Sequence, residues 1–110
     1  ETTQQAATRE TWEEAFAEVT LGGLYTLIDL PHINQVYMIF LADLIGDFGP
    51  GPESLEVELF EEHEIPWNAL AFPTIERTLR HYFADRENAA YPLHISKITP
   101  EDRERYVGSA

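Results

Sequence analysis

Hydrophobic and polar positions change period several times along this chain, and each change marks an element. Thr2 followed by Gln5 is a capping-box pattern, so a first helix is expected to start at Thr2. Ala7, Thr11 and Ala15 then recur at helical spacing as a stripe of small side chains suited to packing on a sheet, and Trp12 and Phe16 widen that side. Val19 to Leu30 reads as a strand interrupted by Gly22-Gly23, a bulge or turn. Pro31-His32-Ile33-Asn34 is a connection. Gln35 to Ile45 (QVYMIFLADLI) is the most apolar run, rich in β-formers, and reads as a central strand.

Gly46 to Pro52 ends in Gly-Pro-Gly-Pro, which neither a helix nor an inner strand accepts. Leu55 to Phe60 alternates with period two, as a half-buried strand does. Glu61 to Trp67 is a polar turn. Pro73 suits the first position of a second long helix, with Ile75, Leu79 and Phe83 on one face and Arg77 and Arg80 elsewhere. Residues 91–98 form a short strand, and Glu101 to Arg105 is a solvated charged segment. There is no internal repeat and no low-complexity stretch.

Length and charge narrow the picture. A chain of 110 residues with 44% apolar content makes at most one small domain with a modest core. The absence of cysteine excludes a disulfide framework and a Cys-based zinc site, in keeping with a cytoplasmic location. No apolar run spans a bilayer, and no signal-peptide pattern opens the chain. A net charge of −13 argues against nucleic acid and against anionic membranes as partners. It also requires that an anionic substrate be screened by a cation.

The acids are not spread evenly. On a helix, Glu10, Glu13 and Glu14 fall at i, i+3 and i+4 and share one face. Like charges at that spacing cost a few tenths of a kcal/mol per pair, roughly. Arg9 is the one nearby cation and reaches Glu13, but it cannot neutralise three acids. A hard divalent ion from outside the chain is the simplest complement. An arbitrary acidic helix would be a solvated face; the offsets of Glu1 and Arg9 change that reading.

The segment Glu1, seven residues, Arg9-Glu10, two residues, Glu13-Glu14 resembles the Nudix box, G-x5-E-x7-R-E-U-x-E-E-x-G-U with U aliphatic. Five such fixed positions coincide by chance on the order of once in 10⁴ chains, at about 6% per residue type. Thr11 stands where an aliphatic residue is usual, and Phe16 replaces the second Gly. Phe16 lacks glycine's ease in the left-handed conformation, which leaves the helix exit open. The resemblance continues through Gln35 to Ala42, Pro50 to Phe60 and Glu64 to Phe72, and covers residues 1–98. There the chain looks like a Nudix branch of bacterial proteins with a zinc ribbon and plant FAD pyrophosphatases. The box's opening Gly, the first strands and any zinc ribbon would lie upstream of Glu1. Residues 99–110 are then a charged tail. Leu30 to Val36 departs from the S-Q-P-W motif of the related NADH pyrophosphatases.

The resemblance implies an α+β fold, an α/β/α sandwich with a mixed sheet, lacking its N-terminal strands. It implies hydrolysis of a nucleoside diphosphate linked to another moiety, such as ADP-ribose or FAD, with Mg²⁺ or Mn²⁺ as cofactor and a homodimer as the assembly. By match to the box, Glu10, Glu13 and Glu14 are metal ligands, and Glu1 is a ligand or supports one. Arg9 orients a carboxylate. Glu56, with Glu53 second, is the candidate for a further ligand or general base. Glu13, Glu14, Glu56 and Arg9 form the expected catalytic set. NADH, a nucleoside triphosphate, or nucleotide binding without cleavage remain alternatives. His32, His63, His81 and His94 lack metal-ligand spacing and read as surface or structural residues. Trp67 and Phe72 read as packing.

Overall fold

The computed structural model describes residues 1–49, 62–70 and 72–102. Along them run helix α1 (Thr3–Ala15), strand β1 (Glu18–Leu30), strand β2 (Gln35–Ile45), helix α2 (Pro73–Asn88) and strand β3 (His94–Lys97), with short 3-10 turns between. The sheet has the order β2-β1-β3. β1 and β3 are parallel, with Thr26 opposite His94 and Ile28 opposite Ser96. The short turn between β1 and β2 permits only an antiparallel pair, so the sheet is mixed. The chain clusters into two compact units: 1–24 with 40–60, and 25–39 with 61–110.

In the first unit, α1 begins as its sequence requires. The Thr2 hydroxyl accepts from the Gln5 amide at 3.1 Å, and the Gln5 side chain accepts from the Thr2 amide at 2.7 Å. This reciprocal cap satisfies two donors that a helix start leaves orphaned. The small stripe Ala7, Thr11 and Ala15 is half-buried, whereas Trp12 and Phe16 stay largely exposed. The helix does end in the left-handed conformation, with Phe16 at φ 44° and its amide on the Trp12 carbonyl at 2.9 Å. A β-carbon there costs on the order of 1–2 kcal/mol. The Phe16 ring packs edge-on against Trp12, centroids 5.3 Å apart, which offsets part of that cost.

Gly22-Gly23 does not interrupt the strand, contrary to the expectation of a bulge or turn. β1 runs unbroken through both residues. A β-carbon on Gly22 would lie 3.0 Å from the Leu41 carbonyl oxygen, so glycine is there because the β2 backbone comes close.

In the second unit the core gathers on β1. Tyr25, Thr26, Ile28 and Leu30 are buried, together with Ile98 just after β3. Ile28, Leu30 and Ile98 make one apolar cluster. β2, expected as the central strand, has only β1 beside it among the described residues, and Val36, Tyr37, Met38, Leu44 and Ile45 are exposed there. Among the described residues the middle strand is β1. An apolar run predicts that a strand can be covered, not its position in the sheet.

α2 starts with Pro73 in its first turn, as expected. Its fully buried side chains are polar. Thr74 and Thr78 are buried, while Ile75 is 40% exposed. The polar face turns inward because it finds partners. Thr78 and Thr26 share a hydroxyl bond of 3.0 Å, and the Asp85 carboxylate accepts from the Tyr25 hydroxyl and bonds His94 Nε2 at 2.7 Å. Phe83 packs instead against Trp67, centroids 6.2 Å apart, beneath the Arg86 guanidinium. The expected strand over 55–60 lies outside the described residues; the expected strand within 91–98 is β3.

Two measurements check these contacts. In chemical unfolding, Phe16→Gly is expected to be about 1 kcal/mol more stable than Phe16→Ala, since both lose the ring and only glycine relaxes the backbone. Stability should also fall on acidification in two stages. Burial, helped by the nearby His94, holds His81 below its ordinary 6.5, so the unfolded chain takes up that proton first and stability declines as pH drops below 6.5. Hydrogen bonds from Tyr25 and His94 hold Asp85 below 3.8, and its contribution is lost as pH falls below that value. His81→Gln should flatten the first decline and Asp85→Asn the second in unfolding curves measured across pH.

Candidate functional site

The box residues lie on α1 and at its entrance. The fixed helical spacing sets Arg9 one turn before Glu13, and the cap at Thr2 folds Glu1 back towards the same side. The Arg9 guanidinium therefore bridges two acids. Its Nε donates to both Glu1 oxygens at 3.0 and 3.1 Å, and its Nη2 to Glu1 Oε1 at 2.6 Å. Its Nη1 donates to both Glu13 oxygens at 3.1 and 3.0 Å. This planar fork on two carboxylates is geometry that lysine cannot supply. The Arg9 hydrogen bonds hold the Glu1 carboxyl below its ordinary 4.5.

The other two acids stand apart from this clamp. Glu10 comes no nearer than 3.8 Å to Arg9 Nη2, and its side chain is 62% exposed. Glu14, four residues on, is exposed and makes no ion pair among the described residues. The structure thus joins Glu1, Arg9 and Glu13, and leaves Glu10 and Glu14 on one face as outward carboxylates. Glu53 and Glu56 lie outside the described residues. No group of three or more His, Cys, Asp or Glu is gathered closely enough to hold a metal among the described residues. The donor chemistry nonetheless fits a hard divalent cation: every donor is a carboxylate oxygen, and Arg9 covers only part of their charge. Such a cation would compete with Arg9 for Glu13.

Sequence reasoning missed a second polar cluster, in the other unit. Asp85 of α2 bonds both Tyr25 of β1 and His94 of β3, and the His81 ring stacks on His94 with centroids 3.9 Å apart. Tyr82 and Tyr91 pack edge-on around Tyr25. Burial and the Asp85 carboxylate push the Tyr25 hydroxyl well above its ordinary 10.0. Tyr25, His81, Tyr82, Asp85 and His94 come from three elements and Tyr91 from the loop before β3, so no local spacing announces them. The one sequence signal is that β1 carries a tyrosine and a threonine side by side in an otherwise apolar stretch.

Removing Arg9 has a direct readout. In Arg9→Gln the Glu1 carboxyl should titrate higher, back towards 4.5, because the hydrogen bonds that favour its charged form are gone. Side-chain NMR titration of Glu1 in the two proteins measures the shift.

No protein-family model matches the chain, and no curated protein matches it. A solved structure does. The crystal structure of a Nudix hydrolase from Nitrosomonas europaea is 50% identical, with a TM-score of 0.86. The similarity covers 90% of this chain and 57% of that one, so the chain spans somewhat over half of its relative's length. At that identity the likeness extends beyond the backbone trace. The chain is similar to a Nudix hydrolase over nine-tenths of its length, and its mixed α/β architecture is a Nudix fold.

Proposed function

We propose that this chain is part of a Nudix pyrophosphatase that hydrolyses a nucleoside diphosphate linked to another moiety, of the ADP-ribose or FAD type, to AMP and a phosphorylated product. The observation that carries the reading is the division of labour on α1. Arg9 braces Glu1 and Glu13, while Glu10 and Glu14 face outward on the same helix. The likeness to a Nudix hydrolase at 50% identity supports it.

Glu10, Glu13 and Glu14 would hold Mg²⁺ or Mn²⁺, with Glu1 as a further ligand or a support for one. When bound, such an ion screens phosphate oxygens and lowers the pKa of a coordinated water. The chain's own residues do the positioning. Arg9 fixes the rotamers of Glu1 and Glu13 through paired hydrogen bonds, so less ordering remains when a ligand arrives. Glu10 and Glu14, one helical turn apart, keep their oxygens available. Glu56 is the acid we assign as a further ligand or base, with Glu53 second. The net charge of −13 explains why an anionic diphosphate needs a cation on this surface. A cytoplasmic homodimer acting on a small nucleotide completes the reading, with the absence of cysteine in support of the location.

The gathering of acids on α1 leaves one competing interpretation. Arg9 donates to both oxygens of Glu13 and so occupies one of the expected ligands, and this favours a domain that binds a nucleotide without cleaving it. A panel of ADP-ribose, FAD, NADH and nucleoside triphosphates with Mg²⁺ or Mn²⁺ separates the two. Glu13→Gln combined with Glu14→Gln is expected to lower kcat/KM on the best substrate by at least about 100-fold with the fold retained. Unchanged turnover in that double variant sinks the hydrolase reading. Saturable binding by calorimetry with no product establishes the binder.

A further inference from the structure

The second unit contains a pocket of about 100 Å³ where the turn after β1 meets the start of α2. Its lining is mostly apolar. Leu30 and Ile98 are buried and form its floor, while Ile33, Tyr37 and Phe72 are exposed and form its rim.

One buried polar side chain opens into it. Thr74 is 3% exposed and lines the pocket, and its hydroxyl has no hydrogen-bond partner among the described residues. Thr78, one turn further along α2, is paired with Thr26. No buried side-chain oxygen among the described residues lacks a partner, so the Thr74 hydroxyl keeps its access through the pocket it lines. The start of α2 is also uncapped, since Phe72 offers no side-chain acceptor. Pro73 has no N–H, and the Ile75 and Glu76 amides turn back to the Phe72 carbonyl at 3.1 and 3.4 Å. The Thr74 amide is the donor left over at this helix start.

We propose that this pocket binds a small neutral molecule with one planar six-membered ring and a carbonyl acceptor of the carboxamide type. The ring lies against Tyr37 and Phe72, and the carbonyl accepts from Thr74. Size decides for a single ring. An apolar cavity of about 150 Å³ holds benzene, so the smaller volume here seats most of one ring and rejects a fused pair. The rim is ready for it, because neither Tyr37 nor Phe72 packs against another aromatic ring among the described residues. Charge decides for a neutral ligand. No Arg or Lys lines the pocket, and the chain carries a net charge of −13. A carboxylate would give up its hydration for the partial charge of one helix end. A carbonyl loses less water and gains the one hydroxyl that the fold leaves unpaired. The proposal stands independently of the hydrolase reading, since it uses none of the α1 acids.

Titration of the whole chain with benzamide, followed by amide NMR shifts, tests it. Saturable shifts at Ile33, Thr74 and Ile98 are expected. Toluene has the same ring and no acceptor, and should bind about 5-fold more weakly, the worth of one neutral hydrogen bond. Thr74→Val should weaken benzamide by about the same factor and leave toluene unchanged. In chemical unfolding that variant should be no less stable than the parent, because the hydroxyl has no partner in the fold to lose. Phe72→Ala, at a residue 60% exposed, should weaken both ligands severalfold with the fold retained, so the ring contact stays testable if Thr74→Val unfolds. Benzoate and naphthamide should each bind severalfold more weakly than benzamide. Shifts that fail to saturate, benzamide affinity undiminished in both variants, or benzoate or naphthamide binding as tightly as benzamide overturn it.

Discussion

A buried polar atom must find a partner, and the second unit of this protein is organised by that demand. Tyr25 and Thr26 are adjacent on β1, and each is only 1% exposed. An unsatisfied hydroxyl in such a place costs about 1–3 kcal/mol. Both partners are supplied by α2, Asp85 for Tyr25 and Thr78 for Thr26. Asp85 also takes His94 of β3, which is the register partner of Thr26 across the sheet. One carboxylate therefore ties together two parallel strands and the helix that precedes the second. Among the described residues no buried side-chain nitrogen or oxygen lacks a partner, so the polar face of α2 can turn inward without penalty.

On α1 the governing term is charge. The chain carries 20 acidic and 7 basic side chains, and Arg9 is the cation placed among the helix acids. Its fork serves two carboxylates at once and leaves the other pair outward. Exposed ion pairs contribute little to stability, typically under about 1 kcal/mol. The clamp is better understood as fixing the directions of Glu1 and Glu13. Glu1, just outside the helix start that Thr2 and Gln5 close, reaches one side of that fork.

Among the described residues three other than glycine adopt the left-handed conformation: Phe16, Asn34 and Ala89. Each ends a helical segment, at α1, at the turn between the strands and at α2. Asn34 follows the usual preference for that conformation, and the other two do not. In each case the terminal amide bonds a carbonyl of the preceding turn, so satisfaction of the helix end outweighs the steric preference.

What the sequence determined by itself was local. The cap at Thr2, Pro73 at the start of α2, the extent of β2 and the common face of Glu10, Glu13 and Glu14 all depend on offsets of a few residues, which helix and strand periods convert directly into geometry. The Nudix resemblance lay within reach for the same reason, because its box is a set of fixed offsets on one helix. Tertiary structure alone decided that β1 and not β2 lies in the middle of the described sheet, that Gly22 admits a neighbouring backbone, and that α2 buries threonines in preference to Ile75. Those outcomes turn on partners tens of residues away, such as Tyr25 and Asp85, and no local period encodes a partner at that distance.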